Sequence, residues 1–309
     1  MTNYLVTGGA GFIGSHLVEA LEARGDVLTI IDTKPAPIGI GVRAKWYLNS
    51  ITKDLNDVFR STTFAGVFHL AALPQVQYSI EHPDETNEVN YEGTMKLLDY
   101  CVNYRVPRFV FSSSAAIYGA HTSVPLSESL HPQPLSPYAK QKFLSEQACH
   151  SFHNSYGLRT TALRYFNVYG SRQSAESDYA SVIPRFFEKA IRREPLKIYG
   201  DGLQTRDFVS VSDVVAANLT VMDSNNSELS GKVINIGSGE ETKILELAKQ
   251  VMRISNTSLD IVFAPQRLEP RQSVADISLA SQLLNWKPTI SLPEGLQRTY
   301  DFYRTQCKT

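Results

Sequence analysis

The first half of the chain alternates short apolar runs with longer segments of helical periodicity. The runs lie at residues 5–6, 27–31, 67–70, 108–111 and 160–163. They are nearly continuous in apolar or β-branched residues, as strands buried on both faces of a parallel sheet are. The segments between them are long enough for helices that cross over between parallel strands. The alternation therefore predicts an α/β fold built on a doubly wound parallel sheet.

The regular alternation stops after Tyr165. Strand-like pieces at 196–199 and 208–211 follow, mixed with helical patterns, and the composition becomes richer in Pro and Ser toward the end. A helical pattern at 213–222 and a strand pattern at 232–236 resemble those of the first half. We therefore expect a smaller α/β lobe that is interleaved with the sheet.

A glycine-rich turn joins the first strand to the first helix, where residues 7–14 read TGGAGFIG. Gly8 permits the tight turn, Gly11 allows a pyrophosphate to approach the backbone, and Gly14 allows close packing of helix on strand. Asp32, at the end of the second strand, is the acid expected about 20 residues further on to bind a ribose 2′-hydroxyl. Because a carboxylate repels a 2′-phosphate, this pattern favours NAD over NADP.

Tyr138 and Lys142 lie four residues apart at the start of a predicted helix, which places both side chains on one face. Serines at 112–114 end the strand before it, at the carboxyl edge where ligands bind in such sheets. Oxidation of an alcohol needs a base. For a tyrosine to act as that base near pH 7, its pKa must fall by about three units, which corresponds to roughly 4 kcal/mol of extra stabilisation of the phenolate. The Lys142 ammonium and the pyridinium of NAD⁺ are positive neighbours that would supply this.

These segments together resemble the extended short-chain dehydrogenase/reductases, and among them the NAD-dependent sugar-nucleotide 4-epimerases. The further segments that carry the resemblance are HLAA (69–72), NYEGT (90–94), SSSAAIYG (112–119), SPYAKQK (136–142), RYFNVYG (164–170), IYGDGLQTRDF (198–208) and ADISLA (275–280). The resemblance implies a Rossmann NAD-binding domain at 1–168 plus 212–236, and a nucleotide-sugar-binding domain at 169–211 plus 237–309.

The resemblance also implies roles for individual residues. Ser114 would relay the sugar's hydroxyl proton to Tyr138, with Ser113 as the alternative, and Lys142 would hold the nicotinamide ribose. The expected catalytic residues are Ser114, Tyr138 and Lys142. The expected cofactor contacts are Gly8, Gly11, Phe12, Ile13, Gly14, Asp32, Asp54, Leu70, Ala71, Ala72, Asn90, Ser112, Tyr138, Lys142 and Tyr165. The expected substrate contacts are Ser113, Ser114, Tyr138, Asn167, Lys197, Tyr199, Arg206, Arg271 and Ser273. For Asp54, the sequence leaves helix capping and an adenine contact equally open.

The residues after Ser114 indicate the reaction type. Similar dehydratases and decarboxylases carry an acid there, where this chain has Ala115 and Ala116. Without that acid, dehydration or decarboxylation of the 4-keto sugar is not catalysed, and its main remaining reaction is reduction back to the alcohol. This favours an epimerase. The alternatives are a one-way reductase of a 4-keto sugar nucleotide, which needs external NAD(P)H, and a non-catalytic NAD-sensing protein. Asp32 argues against NADPH, and the presence of Tyr138 and Lys142 argues against the non-catalytic protein.

Residues 265–276 bear on the substrate. They read PQRLEPRQSVAD, where the family usually has PRxGDVRHSxAD, so Gln266 replaces an arginine. We expect Arg271 or Arg267 to contact the diphosphate instead, and Glu269 to contact a ribose. Ser273 stands where epimerases restricted to glucose and galactose carry a bulky tyrosine. A small residue leaves room for a 2-acetamido group, which predicts UDP-N-acetylglucosamine and UDP-N-acetylgalactosamine as substrates, with UDP-glucose and UDP-galactose as further ones.

Composition excludes several other classes of protein. The 30 Lys and Arg nearly balance the 31 Asp and Glu, so no net field favours nucleic acid or an acidic membrane. Cys101, Cys149 and Cys307 are too few and too scattered for a disulfide framework or a thiolate metal site. No long apolar stretch or signal peptide is present, which predicts a cytoplasmic protein. By resemblance we expect a homodimer, with a four-helix bundle built from the helices at 91–104 and 138–156.

Overall fold

The computed structural model describes residues 1–121, 123–175, 180–266 and 269–306. Its strands are β1 (Asn3–Thr7), β2 (Val27–Asp32), β3 (Lys45–Leu48), β4 (Gly66–His69), β5 (Arg108–Ser114), β6 (Arg159–Tyr165), β7 (Asn167–Tyr169), β8 (Leu196–Tyr199), β9 (Thr205–Arg206), β10 (Phe208–Ser210), β11 (Lys232–Ile236), β12 (Thr242–Lys243) and β13 (Ile261–Ala264). Its α-helices are α1 (Phe12–Ala23), α2 (Asn56–Ser61), α3 (Val76–Glu81), α4 (Pro83–Asn87), α5 (Gly93–Asn103), α6 (Pro137–Tyr156), α7 (Val182–Arg192), α8 (Val211–Asp223), α9 (Ile244–Ser255), α10 (Ser278–Leu284) and α11 (Leu292–Gln306).

Seven parallel strands form the central sheet, in the order β11-β6-β5-β4-β1-β2-β3. The predicted doubly wound α/β fold is confirmed. β11 pairs with β6 from Lys232 to Ile236, so the chain returns to the sheet at the expected strand. β3 was not predicted, because this edge strand is half-exposed and lacks a continuous apolar run.

The interior of the sheet is apolar on both faces. One hydrophobic cluster packs α1, α8 and α10 against the sheet, and a second packs α2, α5 and α6 against the other face. A third cluster, formed mainly by α7, α9, α11 and β8, lies apart from the sheet residues. Around it are three two-stranded pairs: β7 with β10, β9 with β12, and β8 with β13. None of the helices in the described ranges is long and apolar enough to cross a membrane.

The strand order places a topological switch between β1 and β4. From β1 the chain continues to β2 and β3 on one side, whereas β4, β5 and β6 follow on the other. Loops that leave the carboxyl ends of β1 and β4 diverge there, which creates the crevice where ligands bind in open α/β sheets. The glycine-rich turn and the HLAA segment meet at this point.

Candidate active site

The glycine-rich turn leaves no space for side chains. Gly8 has φ +75°, and a Cβ atom there would lie 2.6 Å from the backbone nitrogen of Ala71. A Cβ atom on Gly14 would lie 2.0 Å from the carbonyl oxygen of Gly8. Gly11 precedes α1, where no side chain caps the helix and the first turn holds no acid. Free N–H groups and the positive end of the helix dipole therefore face the turn, which suits a phosphate.

Asp32 ends β2 beside this turn. Its carboxylate oxygens accept hydrogen bonds from the backbone N–H groups of Ala10, at 2.8 Å, and Lys34, at 2.9 Å. The carboxylate is thereby held at the tip of the strand, half-buried, with lone pairs left for a further donor. Together with the uncapped helix, this arrangement fits the pyrophosphate and ribose of a dinucleotide.

Asp54 is exposed just before α2. Its Oδ1 accepts from the backbone N–H of Asn56 at 2.9 Å and from the Tyr100 hydroxyl at 2.8 Å. These hydrogen bonds lower the pKa of the Asp54 carboxyl. The N-cap of α2 is Leu55, without a side-chain cap, so Asp54 closes a local turn just before the helix. The adenine contact of Asp54 stays a prediction.

The structure brings Tyr138, Ser114 and Lys142 together at the carboxyl end of β5. Ser136 caps α6 by accepting from the Ala139 N–H at 3.2 Å, which sets where the helix begins. Tyr138 is buried beside Ser114, whose side chain acts to lower the pKa of the Tyr138 hydroxyl. The Lys142 ammonium donates to the Ser112 carbonyl at 2.7 Å and lies 6.0 Å from the centre of the Tyr138 ring.

Burial is the largest influence on the pKa of both Tyr138 and Lys142. It raises the pKa of Tyr138, and the Ser114 side chain only partly opposes this. Burial also lowers the pKa of Lys142 to about 8, although Cys149 and Glu146 act in the opposite direction. The expected lowering of the pKa of Tyr138 by Lys142 together with NAD⁺ stays a prediction.

Ser113 is turned away from this cluster. Its hydroxyl is buried and donates to Glu146 Oε1 at 2.6 Å. Glu146 also accepts from Arg164 Nε at 2.9 Å and from Arg164 Nη2 at 2.7 Å. The Ser113 hydroxyl is therefore already engaged within the protein. Its roles as a substrate contact and as the alternative relay stay predictions.

Asn90 binds the loop that follows the HLAA segment. The Asn90 side chain accepts from the Leu73 N–H at 2.8 Å, and it donates to the Leu73 carbonyl at 3.1 Å and to Gln141 Oε1 at 2.9 Å. Both amide hydrogens are used and the residue is buried. Asn90 thus shapes the loop beside Leu70, Ala71 and Ala72, and its expected contact with the cofactor stays a prediction.

Tyr165 is also used within the protein. Its buried hydroxyl donates to Asn218 Oδ1 at 3.0 Å and accepts from Asn218 Nδ2 at 2.8 Å. The carbonyl oxygen of Ser112, on the neighbouring strand, accepts from Lys142. Tyr165 and Ser112 therefore support the site through the end of the sheet.

The two arginines predicted to contact the substrate, Arg206 and Arg271, both form ion pairs with carboxylates. Arg206 is nearly buried, donates to the Pro270 carbonyl at 2.9 Å and pairs with Glu269 at 2.7 Å. Arg271 is half-exposed and binds both oxygens of Asp201, at 2.8 and 2.7 Å. An anionic ligand at either guanidinium competes with the acid already there.

The other expected substrate residues are exposed or half-buried. The Lys197 ammonium lies 5.1 Å from the centre of the Tyr199 ring. Asn167 is exposed at the start of β7. Ser273 is half-buried, next to Val274, whose carbonyl accepts from the Leu126 N–H at 2.7 Å. Arg267, the alternative to Arg271, lies outside the described residues.

Residues 4–237 match the NAD dependent epimerase/dehydratase family. The chain belongs to this family.

Solved structures of family members extend the likeness over the whole chain. A UDP-glucose 4-epimerase of Thermotoga maritima, solved with UDP-glucose, has a TM-score of 0.95, 37% identity and coverage of 99% of this chain and 100% of its own. A UDP-N-acetylglucosamine 4-epimerase of Methanobrevibacter ruminantium M1, in complex with UDP-N-acetylmuramic acid, has a TM-score of 0.93, 36% identity and coverage of 99% of both chains. A UDP-glucuronic acid 4-epimerase of Bacillus cereus, in complex with UDP-glucuronic acid and NAD, has a TM-score of 0.91, 33% identity and coverage of 99% and 100%.

Two features of this epimerase/dehydratase family member were missed from the sequence. Glu146 and Arg164 form a buried ion pair behind Ser113, although a charged residue four positions after Lys142 was a visible signal. Asp207, in the segment TRDF, is buried and accepts from the backbone N–H groups of Ser238 at 2.6 Å, Gly239 at 2.9 Å and Ala275 at 3.1 Å. Asp207 thus anchors the segment that carries Ser273.

Proposed function

We propose that this protein is an NAD-dependent epimerase that inverts carbon 4 of a UDP-sugar through a transient 4-keto sugar. The observation that carries the proposal is the buried Tyr138, with Ser114 and Lys142 beside it and Ala115 and Ala116 directly after. Membership of the epimerase/dehydratase family supports the same chemistry. The two alanines favour epimerisation over dehydration, since neither can donate or accept a proton.

The proton and the hydride leave the sugar separately. Ser114 accepts the proton of the 4-hydroxyl as it passes its own to the Tyr138 phenolate, and the C4–H bond breaks as the carbonyl forms. When bound, NAD⁺ accepts this hydride and returns it to the opposite face of the 4-keto sugar. Tyr138 then gives the proton back through Ser114, so the protein ends as it began.

The residues for holding NAD are those at the switch point of the sheet. The N–H groups at the start of α1 would bind the pyrophosphate, Asp32 the adenine ribose, and Lys142 the nicotinamide ribose. A permanent positive charge closer to Tyr138 would oppose the effect of burial, which raises the pKa of Tyr138. The pyridinium of NAD⁺ would favour the phenolate there.

Arg206 and Arg271 are the candidates for the diphosphate of the substrate. Both already have carboxylate partners, Glu269 and Asp201. We infer that a UDP-sugar displaces Glu269 from Arg206, since a diphosphate carries more charge and accepts bidentate hydrogen bonds from a guanidinium. Asn167 and Tyr199 would then contact the nucleotide.

For the sugar itself we propose UDP-N-acetylglucosamine and UDP-N-acetylgalactosamine, with UDP-glucose and UDP-galactose also accepted. Ser273 supports this choice, because it is small and only half-buried. The similar solved structures bear the names of glucose, N-acetylglucosamine and glucuronic acid epimerases, so the likeness leaves the sugar open.

The arrangement of domains and subunits is part of the proposal. Residues 1–168 and 212–236 would bind NAD, and 169–211 and 237–309 would bind the nucleotide sugar. A homodimer would form through α5 and α6. Sedimentation of the purified protein would reveal the dimer, and a monomer at micromolar concentration would contradict it.

The deciding experiment assays the purified protein with each of the four UDP-sugars and no added NAD. We expect interconversion of the two N-acetyl sugars, and turnover of none of the four would contradict the function. Ser273→Tyr tests the sugar: it should reduce turnover of the N-acetyl pair much more than that of UDP-glucose. Equal effects on both pairs would contradict the role of Ser273.

A further inference from the structure

The end of β5 is attached to α6 at two consecutive residues. The carbonyl oxygen of Ser112 accepts from the Lys142 ammonium at 2.7 Å, and the hydroxyl of Ser113 donates to Glu146 Oε1 at 2.6 Å. The next residue, Ser114, lies beside Tyr138, and its side chain acts to lower the pKa of the Tyr138 hydroxyl. The two residues just before Ser114 therefore fix the end of β5 to α6.

Glu146 is a rigid anchor for this attachment. Its side chain is wholly buried, and both carboxylate oxygens are bound by Arg164, whose side chain is only 4% exposed. Arg164 belongs to β6, which pairs with β5, and its guanidinium lies 4.7 Å from the centre of the Tyr118 ring. A bidentate pair between neighbouring elements fixes orientation as well as distance.

The helical spacing extends the anchor to the tyrosine. Tyr138, Lys142 and Glu146 follow one another at intervals of four residues, so they form one stripe on the face of α6 that packs against β5. A shift of the strand end relative to Glu146 therefore changes the distance between Ser114 and Tyr138.

We propose that Glu146 is a positioning residue for proton transfer, acting through Ser113 to hold Ser114 at the Tyr138 hydroxyl. This inference rests on the proposed function for its kinetic consequence. It assigns Ser113 a role that is different from contact with the sugar. Glu146 and Arg164 touch neither the substrate nor the cofactor in this scheme.

Ser113→Ala is the test variant, because removing Glu146 itself would leave Arg164 as an uncompensated buried charge and could unfold the protein. Ser145→Ala is the matched control. Ser145 is a buried serine on α6 whose hydroxyl donates to the carbonyls of Asn90 and Gln141, at 3.1 and 2.9 Å, and not to the Glu146 carboxylate.

We expect Ser113→Ala to lower kcat by about tenfold to a hundredfold, the scale of a misplacement of about an ångström, with KM for the UDP-sugar unchanged. Ser145→Ala should leave both constants unchanged. Equal kcat for Ser113→Ala and wild type would overturn the proposal. A rise in KM with unchanged kcat would overturn it as well, since that is the signature of a substrate contact.

A second readout needs neither substrate nor turnover. The ionisation of Tyr138 can be followed by the ultraviolet absorbance of its phenolate, with Tyr138→Phe subtracted. Because the Ser114 side chain acts to lower the pKa of Tyr138, Ser113→Ala should move this titration to higher pH, whereas Ser145→Ala should not. An unmoved titration in Ser113→Ala would overturn the inference, even if the wild type acts on no UDP-sugar.

Discussion

At the residue scale, Lys142 combines a full charge with complete burial. Its ammonium has one hydrogen-bond acceptor, the Ser112 carbonyl, and the ring of Phe111 lies 4.8 Å away. Burial lowers the pKa of Lys142 to about 8, although Glu146 and Cys149 oppose the shift. The charge that the proposed reaction uses is therefore lost at a mildly alkaline pH.

This pKa predicts an alkaline limit to turnover. Since the protonated form of Lys142 is needed, kcat should fall as the pH rises through about 8. Lys142→Arg should remove the limit, because a guanidinium keeps its charge throughout this range. A pH profile of kcat for both proteins checks the prediction, and a wild-type profile that stays flat well into the alkaline range would contradict it.

Tyr138→Phe tests the proton acceptor itself. It deletes one oxygen atom and retains the ring, so the packing of the buried side chain is kept. Loss of the general acid and base should reduce kcat by a factor of about 10² to 10⁴. NADH affinity, followed by fluorescence, should stay close to that of the wild type, and undiminished turnover would show that the proton goes elsewhere.

The sequence allowed Ser114, Tyr138 and Lys142 to be predicted together because each belongs to a short motif at the end of a recognisable element. Ser113, Glu146 and Arg164 were different. Glu146 lies 33 positions after Ser113 and 18 before Arg164, and no local pattern tells which polar side chains meet across a strand and a helix. The same holds for Asp207 and Ala275.

At the scale of elements, the turn between β1 and α1 is the most tightly constrained piece of backbone. Its shape was predictable, because glycine at three fixed positions leaves few alternatives. The start of α5 was not predictable. Residues Glu88–Glu92 form a single π-helical turn, whereas the sequence predicted one helix at 91–104. Such turns occur mostly at functional sites, and here the turn places Asn90 against Leu73. Periodicity alone does not distinguish them.

Gly14→Ala probes the turn. A Cβ atom 2.0 Å from the Gly8 oxygen forces the helix away from the strand. We expect a loss of about 1–3 kcal/mol in the free energy of unfolding, and at least about tenfold weaker NADH binding, equivalent to about 1.4 kcal/mol. Urea denaturation and NADH fluorescence provide the two measurements.

Gly157→Ala is the control for this variant. Gly157 ends α6 in a left-handed conformation with nothing near its Cβ position, so alanine should cost about 1 kcal/mol and leave NADH affinity unchanged. If both variants weakened NADH binding alike, general destabilisation would explain the effect of Gly14→Ala.

At the scale of the whole molecule, buried polar groups join the segments that sequence places far apart. Asp207 ties β9 and β10 to the loop after β11 and to Ala275. Asp213, at the start of α8, accepts from the N–H and hydroxyl of Thr289, at 2.9 and 2.7 Å. The nearly balanced charge of the chain is consistent with this, because its ionic groups act in specific pairs and not as a general field.

The central sheet contains a buried histidine, His69, whose protonation should control the free energy of unfolding at acid pH. His69 ends β4 and is fully buried, with Nδ1 at 2.7 Å from the Thr7 hydroxyl and Nε2 at 2.9 Å from the Thr94 hydroxyl. Thr94 donates to the Asn90 carbonyl at 2.7 Å, so it accepts from His69 Nε2–H, and Thr7 donates to Nδ1. Both ring nitrogens are thus satisfied in the neutral form.

Burial, together with the charge of Lys142, lowers the pKa of His69 from 6.5 to about 3. A depressed pKa means that the unfolded chain binds a proton first, so the stabilisation is complete above pH 6.5 and is lost as the pH falls toward 3. The shift corresponds to roughly 5 kcal/mol at most. Urea denaturation between pH 7 and 4 should therefore show a steep fall in the free energy of unfolding for the wild type.

His69→Gln should be less stable at pH 7 and show a shallower fall, whereas His150→Gln, at an exposed position of α6, should follow the wild type. Equal slopes for His69→Gln and the wild type would exclude His69 as the controlling group.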